Sequence, residues 1–304
     1  MNNRVPLLVL LMSTILLLSM FIIYATSSAF SLFQRATAQI ITNATTSDSV
    51  DKFGIKKIYP TRQGGREWFI NMDNPKADGI FSITSRHNLT KQIDGSWRAS
   101  DPDVRMTVDT PVGAEPWKNV EITGYAKVIS QISGNNTTIN GDEGNNTNTD
   151  LDWYARGRRH TSEAPCEGTA LHGGIHLDGS VGWKKEIWHT GGYTEERGKS
   201  KVTTDSILGR WIGWKVIMYN LYNGSAVKME SYIDNKDTNY WIQVTSLIDA
   251  GGWYAMSPDK EFYSANCGRQ KDYVLANSGP YVSFRSDNLV WEFRNLSVRE
   301  IISP

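Results

Sequence analysis

The sequence has no excess of either charge, since 32 lysines and arginines stand against 32 aspartates and glutamates. A protein that holds nucleic acid or an anionic membrane surface through its overall charge carries a basic excess. We therefore expect no nucleic-acid partner, and any cationic site must be local. Cysteine is scarce too, with Cys166 and Cys267 as the only two. One disulfide between distant loops is expected, and two free buried thiols are the alternative.

Helical periodicity and internal repeats are also missing. Short segments instead alternate apolar and polar residues, as at 104–108, where Val104, Met106 and Val108 share one face, and at 120–128. Further strand-like segments are 151–161, 168–178, 182–189, 212–222, 226–234, 240–248 and 281–301. Gly, Asn, Asp and Pro clusters separate them. This pattern predicts an all-β fold, an antiparallel β-sandwich or jelly roll, and argues against a βαβ architecture.

The amino-terminal segment predicts export. A short polar start precedes a nearly unbroken apolar run from Val5 to Tyr24, and small residues around Ala38 fit cleavage, although such a run is long enough to stay as a membrane anchor. Seven acceptor sites for N-glycosylation follow, at Asn43, Asn88, Asn135, Asn136, Asn145, Asn223 and Asn295. We expect a secreted or cell-surface glycoprotein, in an oxidising compartment that lets Cys166 pair with Cys267.

The chain divides into three parts by composition. Residues 1–38 form the signal peptide or membrane anchor, and the Thr, Ser and Asp-rich residues 39–56 form a flexible polar tether. Residues 57–304 then suit one β-sandwich domain, of a size that sandwiches reach without dividing. Within it, the Asn, Gly and Thr-rich stretch 133–150 predicts a long exposed loop.

The stretch DWYARGRRHT, 152–161, carries three arginines and a histidine beside two aromatic residues. If it is a strand, Tyr154, Arg156, Arg158 and His160 share one face. Later segments add polar and aromatic side chains on one face each: His172, His176, Lys184, Glu186, Trp188, Lys228, Glu230 and Tyr232. Guanidinium forks and flat rings suit a sugar ligand. We interpret this face as a glycan-binding cleft; a solvated sheet with salt-bridged arginines is the alternative.

Metal binding is not expected at the motif HGGIH. On a helix His172 and His176 would chelate zinc, but on a strand they lie about 13 Å apart. Asp287, in the segment FRSDN, is the one candidate for a structural calcium site. We expect no other cofactor.

Three segments together carry a resemblance to a known family. The Arg-rich strand, then GGIH, then WKVIMYN followed by KMESYID, resemble the concanavalin A-like jelly rolls, and among them the alginate-lyase-like polysaccharide lyases. Arg156 to Arg159 correspond to the arginine motif of that family and Ile175-His176 to its Gln-Ile/Val-His motif. Lys215, Tyr219 and Asn220 correspond to its third motif. Two departures are that Gly174 replaces the glutamine and that the Arg-x-Glu-x-Arg pattern is missing.

The resemblance implies β-elimination on a uronate-containing polysaccharide. Arg156, Arg158 or His172 would neutralise the substrate carboxylate, and His176 would serve as the base. Tyr219 would be the proton donor or an alternative base, its pKa depressed by arginines, unless it is a core tyrosine. Lys215 and the polar and aromatic residues of the cleft would bind the substrate.

Hydrolysis is less favoured because the string Glu-x-Asp-x-x-Glu is absent and Glu230 and Asp234 lie about 13 Å apart on a strand. The leading hypothesis is therefore an exported polysaccharide lyase. The alternative is a non-catalytic carbohydrate-binding or adhesive surface module that uses the same face. A third is a structural envelope protein whose conspicuous surface contacts protein.

Overall fold

The computed structural model describes residues 49–83, 89–132, 150–158, 166–188, 192–201, 206–253, 267 and 272–304. The chain divides into two units, Met1–Lys57 and Ile58–Pro304. The predicted signal segment lies outside the described residues, as does the predicted tether up to residue 48, and both stay predictions. Helices within the described ranges are all too short or too polar to cross a bilayer.

The described residues of the first unit form a local turn. Val50 pairs with Lys56, and the Asp51 carboxylate accepts hydrogen bonds from the backbone N–H groups of Phe53 and Ile55, at 2.8 and 2.9 Å. A short Asp side chain that satisfies backbone donors two and four residues on is a common way to fix such a turn.

The described part of the second unit contains sixteen β-strands. They are β1 (Glu67–Phe69), β2 (Phe81–Ile83), β3 (Thr90–Lys91), β4 (Trp97–Ala99), β5 (Asp103–Asp109), β6 (Val120–Gln131), β7 (Asp150–Gly157), β8 (Thr169–His176), β9 (Ser180–Ile187), β10 (Gly192–Tyr193), β11 (Arg197–Lys201), β12 (Ile212–Leu221), β13 (Ala226–Asp234), β14 (Ile242–Asp249), β15 (Tyr281–Asp287) and β16 (Leu289–Glu300). Most coincide with the predicted segments within a few residues.

The strands form two antiparallel sheets. Sheet 1 has the order β14-β13-β12-β6-β16-β4-β3, with β1 also paired to β16, and sheet 2 has the order β10-β9-β8-β7-β15-β5-β2, with β11 also paired to β9. Among the described strands the chain changes sheet eight times: at β1–β2, β2–β3, β4–β5, β5–β6, β6–β7, β11–β12, β14–β15 and β15–β16. The predicted all-β fold, an antiparallel β-sandwich of jelly-roll type, is confirmed.

The core lies between the two sheets. Trp153 of β7 packs on Trp214 of β12, with ring centroids 4.5 Å apart, and a Cβ on Gly173 of β8 would lie 3.0 Å from Val216 of β12. Glycine at this position lets the sheets approach closely. The residues predicted to share one face of β5 point into this core, and Met106 is fully buried. Burial of each large apolar side chain contributes about 1.5–3 kcal/mol.

The predicted segment 281–301 is two strands rather than one. Asn288 adopts a left-handed conformation, with φ of 53°, and joins β15 in sheet 2 to β16 in sheet 1. Asparagine tolerates this conformation better than most residues. The sequence does not mark this change of sheet, because the apolar and polar residues alternate on both sides of Asn288.

The predicted disulfide is confirmed. Cys166, shortly before β8, bonds to Cys267 across 101 residues of sequence, with their Cα atoms 5.4 Å apart. Closing a loop of this length restricts the unfolded chain and stabilises the fold by about 4–5 kcal/mol in the chain-entropy account.

Candidate functional site

The outward face of sheet 2, which points away from sheet 1, carries polar side chains in register. Trp153 points towards sheet 1, so Asp150, Asp152 and Tyr154 point outward. Strand pairing sets three rows: Asp150 and His176; Arg285, Asp152, Gly174 and Gly182; and Ser283, Tyr154, His172 and Lys184. The predicted placement of His172 and His176 on one face is therefore confirmed.

His172 lies between two carboxylates on this face. Its Nδ1 is 2.9 Å from Oδ1 of Asp152 and its Nε2 is 3.1 Å from Oε2 of Glu186. Burial disfavours the charged imidazole, but the two carboxylates outweigh burial and raise the pKa of His172 to about 9. Both ring nitrogens are thus engaged, and His172 serves as a buried cation that holds β7, β8 and β9 in register.

This pair of contacts predicts a specific pH dependence of stability. The folded pKa of His172, about 9, exceeds the ordinary value of 6.5. The stabilisation from protonated His172 is therefore complete below about pH 6.5 and is lost as pH rises through 9, for a total of about 3 kcal/mol. We expect the unfolding free energy from urea titrations to fall over this interval. In His172→Gln that part of the slope should vanish; an unchanged slope would contradict the assignment.

Aromatic rings cover the half of the face around His172. Tyr154 stacks on His172 with ring centroids 4.6 Å apart, and Tyr193 of β10 approaches the same imidazole edge-on at 5.8 Å. Trp188 contacts Tyr193 at 6.0 Å, and its indole N–H donates to Glu186. The predicted ligand-binding residues Tyr154, Glu186 and Trp188 therefore pack together with His172.

The other half of the face has room for a side chain above Gly174, which is partly exposed. A Cβ there would meet nothing closer than Oε1 of Glu196 at 3.9 Å. The neighbouring Gly182 makes room for the Glu196 side chain, whose Oε1 lies 2.6 Å from Nε2 of His176. We call this opening the Gly174 depression; its border is formed by Asp150, Asp152, His176, Lys184 and Glu196.

Carboxylates crowd one side of the Gly174 depression. Burial raises the pKa of Asp287 to about 6; the charge of Arg285 opposes this shift, and those of Asp150 and Asp152 add to it. Burial, and then the charge of Asp152, also raises the pKa of Asp150. Arg285 Nε donates to Oδ1 of Asp287 at 3.1 Å. Calcium binding at Asp287 stays a prediction.

The placement predicted for Arg156 is wrong. Ser283 pairs with Tyr154 and Tyr281 with Gly157, so Ala155 and Arg156 share the place of one residue, and Arg156 has φ of 62°. This β-bulge reverses the alternation. Arg156 is fully buried, and its Nη1 donates to Oδ1 of Asn220 at 2.6 Å and to the Leu275 carbonyl at 2.7 Å.

The other predicted site residues of this arginine-rich segment are Arg158, Arg159 and His160. Arg158 follows β7 beyond the bulge, so alternation no longer groups it with Tyr154, and its Nη2 donates to the Ser278 carbonyl at 3.3 Å. Its predicted place on the shared face stays a prediction. Arg159 and His160 lie outside the described residues.

The remaining predicted residues belong to the other sheet. Lys215 and Tyr219 of β12, and Lys228, Glu230 and Tyr232 of β13, lie on the outward face of sheet 1, because Trp214 of β12 points inward. They do not converge with His176. The prediction of one shared groove is therefore wrong, because alternation within a strand does not tell which sheet the strand joins.

Tyr219 is a packed tyrosine on that face. It is only 4% exposed and contacts the ring of Tyr59 edge-on, with centroids 5.6 Å apart. The Tyr59 hydroxyl donates to Oε2 of Glu230 at 2.7 Å. Burial raises the pKa of Tyr219, so the predicted depression of its pKa is wrong.

Lys215 belongs to a buried charge cluster. Its Nζ donates to Oε1 of Glu121 at 2.8 Å, and Nη2 of Arg299 lies 2.7 Å from Oε2 of the same carboxylate. All three side chains are at most 1% exposed. Arg299 Nη1 also donates to the Tyr59 carbonyl at 3.3 Å, so the cluster anchors the segment that covers this face. The predicted role of Lys215 in substrate binding gains no support from this position.

Sequence reasoning missed several residues of the sheet 2 face. Asp152, Glu196 and Arg285 were not singled out, and Asp150 was assigned to a loop although it begins β7 and is buried. The alternation that identified Tyr154 also places Asp150 and Asp152 beside it, so this signal was present. Arg285 joins them only because it pairs with Asp152, which lies 133 residues earlier in the sequence.

Comparison with known proteins gives similarity in structure alone. No family model matches the chain, and no curated protein matches it. Solved structures with similar architecture include a galectin-like protein of unknown function from Bacillus subtilis, with 11% identity, TM-score 0.43 and coverage of 79% of this chain and 100% of the other. The VIP36 exoplasmic/lumenal domain in its Ca²⁺/Man-bound form is 10% identical, with TM-score 0.40 and coverage of 74% of this chain and 84% of the other. Peanut lectin is 8% identical, with TM-score 0.38 and coverage of 79% of this chain and 99% of the other.

Proposed function

We propose that this protein is an exported, non-catalytic carbohydrate-binding module whose ligand lies on the outward face of sheet 2, in the Gly174 depression. The observation that supports it is the partly exposed floor at Gly174, bordered by partly exposed hydrogen-bonding groups. Lys184 and His176 are 26% and 22% exposed at their side chains, and Glu196 is 15% exposed. Sugar recognition uses such a mixture of donors and acceptors, fixed by a rigid sheet.

Neighbouring cations hold two carboxylates near the depression in fixed orientations. Asp152 is held by His172, and Asp287 is held by Arg285. Side chains that are already oriented lose little conformational freedom when a ligand binds. The disulfide supports export, since such bonds persist in oxidising compartments.

We do not extend the proposal to lyase activity. His176 lies on the outward face of sheet 2 and Tyr219 on that of sheet 1, so one sugar cannot contact both. Base and proton donor must lie within hydrogen-bonding reach of the same scissile bond.

Two matched lysines test where the ligand binds. Lys184 borders the depression, whereas Lys236 is exposed in the turn after β13. We expect Lys184→Ala to weaken binding of an array-identified glycan about five- to tenfold, because a donor to the ligand is removed, and Lys236→Ala to leave it unchanged. Isothermal titration calorimetry measures both. Equal effects, or an array without any bound glycan, would refute the proposal.

A further inference from the structure

Asp150 is a buried carboxylate whose contacts within the described residues are long and ionic. Its side chain is 5% exposed. Within the described part of the chain it accepts no hydrogen bond, and its nearest charged partners are Nδ1 of His176 at 3.8 Å and Nζ of Lys184 at 3.7 Å. Both distances exceed hydrogen-bonding length. A carboxylate with only such long contacts can accept a further hydrogen bond.

The position of Asp150 directs this acceptor to the Gly174 depression. Asp150 pairs with His176 and lies one row from the Asp152 and Gly174 pair, on the same outward face. Glycine at 174 leaves room beside it, since a side chain there would meet only ordinary contacts. A ligand seated on this floor would lie beside the Asp150 carboxylate and the Lys184 ammonium that faces it.

Each of the three bases around the depression already faces a carboxylate, and for Lys184, whose Nζ lies 3.7 Å from Oδ2, that carboxylate is Asp150 itself. Arg285 binds Asp287, with Nε 2.9 Å from Oδ2, and His176 lies 2.6 Å from Glu196. A ligand carboxylate in the depression would meet the charge of Asp150 without a dedicated guanidinium to neutralise it. Like charges in a partly buried site repel strongly because solvent screens them poorly.

We propose that Asp150 accepts a hydrogen bond from a sugar hydroxyl, so that this face binds neutral sugars and rejects their uronic-acid counterparts. This inference rests on the proposed carbohydrate-binding function. It assigns Asp150 as a specificity-determining residue and reverses the preference for acidic polysaccharide that the sequence suggested.

Linkage-matched oligosaccharides test the inference. Suitable pairs are β-1,4-glucan with β-1,4-glucuronan, β-1,4-mannan with polymannuronate, and α-1,4-galactan with polygalacturonate, all at one ionic strength. For the pair that binds, we expect the neutral member to bind at least about tenfold more tightly. A uronate member that binds as tightly or more tightly overturns the inference while the proposed function stands. If an array-identified glycan binds but no member of any pair does, the inference fails while the proposed function stands; if the array shows no bound glycan either, both fail.

Asp150→Asn separates specificity from folding. The amide keeps the size of the side chain, removes the negative charge and introduces a donor. We expect the ratio of neutral to uronate affinity to fall at least about tenfold. Thermal stability should not fall, because the removed charge is one that burial, and then Asp152, disfavours. A purely structural role would change the melting temperature and leave the ratio intact, and that result overturns the inference.

Discussion

Glu121→Gln is expected to lower the free energy of unfolding by about 3–5 kcal/mol, since it leaves two buried cations without their shared carboxylate. Lys215 and Arg299 both pair with Glu121, at 2.8 and 2.7 Å, and none of the three is exposed by more than 1%. For a domain of this size such a loss corresponds to a drop in melting temperature of about 10 °C. Differential scanning calorimetry and urea titration measure it.

The pH dependence of the unfolding free energy of this variant tests whether the charge of Glu121 causes the loss. Burial opposes ionisation of Glu121, but Lys215 and Arg299 outweigh burial and hold its pKa below the ordinary value. Its contribution is therefore present above the unfolded pKa of a glutamate, about 4.3, and is lost as pH falls through the folded value. The difference between wild type and Glu121→Gln should accordingly shrink in acid.

An exposed ion pair supplies the control. Arg294 pairs with Asp237, and the two side chains are 31% and 39% exposed. Asp237→Asn should cost less than about 1 kcal/mol, because exposed pairs contribute little. Asparagine also suits the left-handed conformation of this residue, with φ of 57°. Equal losses in the two variants would show that burial of the Glu121 cluster is not what makes it stabilising.

The segment anchored by this cluster covers part of the outward face of sheet 1. Glu121 Oε2 accepts the Ile58 N–H at 3.2 Å, and Ile58 and Tyr59 pack on the Ile217 and Tyr219 cluster. The chain itself therefore covers this part of sheet 1. Nothing in the alternation of KVIMYN distinguishes a face covered by the chain from a face open to ligand.

What the sequence could predict was local. Alternation in TALHGGIH and SVGWKKEI placed His172, His176 and Lys184 together, because neighbouring hairpin strands keep their faces aligned. The same reasoning failed at Arg156, where an extra residue and a positive φ reverse the faces. A bulge of this kind depends on the pairing of β7 with β15, which the local pattern does not contain.

The assignment of strands to sheets lay beyond local patterns as well. Tyr219 and His176 both occupy polar positions of alternating strands, yet β12 pairs with β6 and β13, whereas β8 pairs with β7 and β9. These pairings join residues far apart in sequence. The resemblance to polysaccharide lyases rested on three segments, and two of them, GGIH and WKVIMYN, lie in different sheets.

Gly174→Leu is expected to weaken glycan binding about a hundredfold, or by about 2.7 kcal/mol, while the fold stays intact. A leucine side chain would occupy the floor of the depression, and its Cβ would meet only Glu196 Oε1 at 3.9 Å and the Gly182 carbonyl at 4.0 Å. These are ordinary van der Waals distances. Glycine within a strand is itself unfavourable, so the melting temperature should not fall.

Gly79→Leu is the matched control, because a Cβ on Gly79 also meets nothing within 4 Å and this residue lies in the turn before β2. We expect it to bind the same glycan with unchanged affinity in calorimetric titrations. Full binding by Gly174→Leu, with its fold verified by near-ultraviolet circular dichroism, would place the ligand elsewhere, since a sugar seated between Asp150 and Lys184 cannot share this floor with a leucine. Loss of binding with an unchanged melting temperature would instead locate recognition on the outward face of sheet 2, and it would do so independently of any charged residue there.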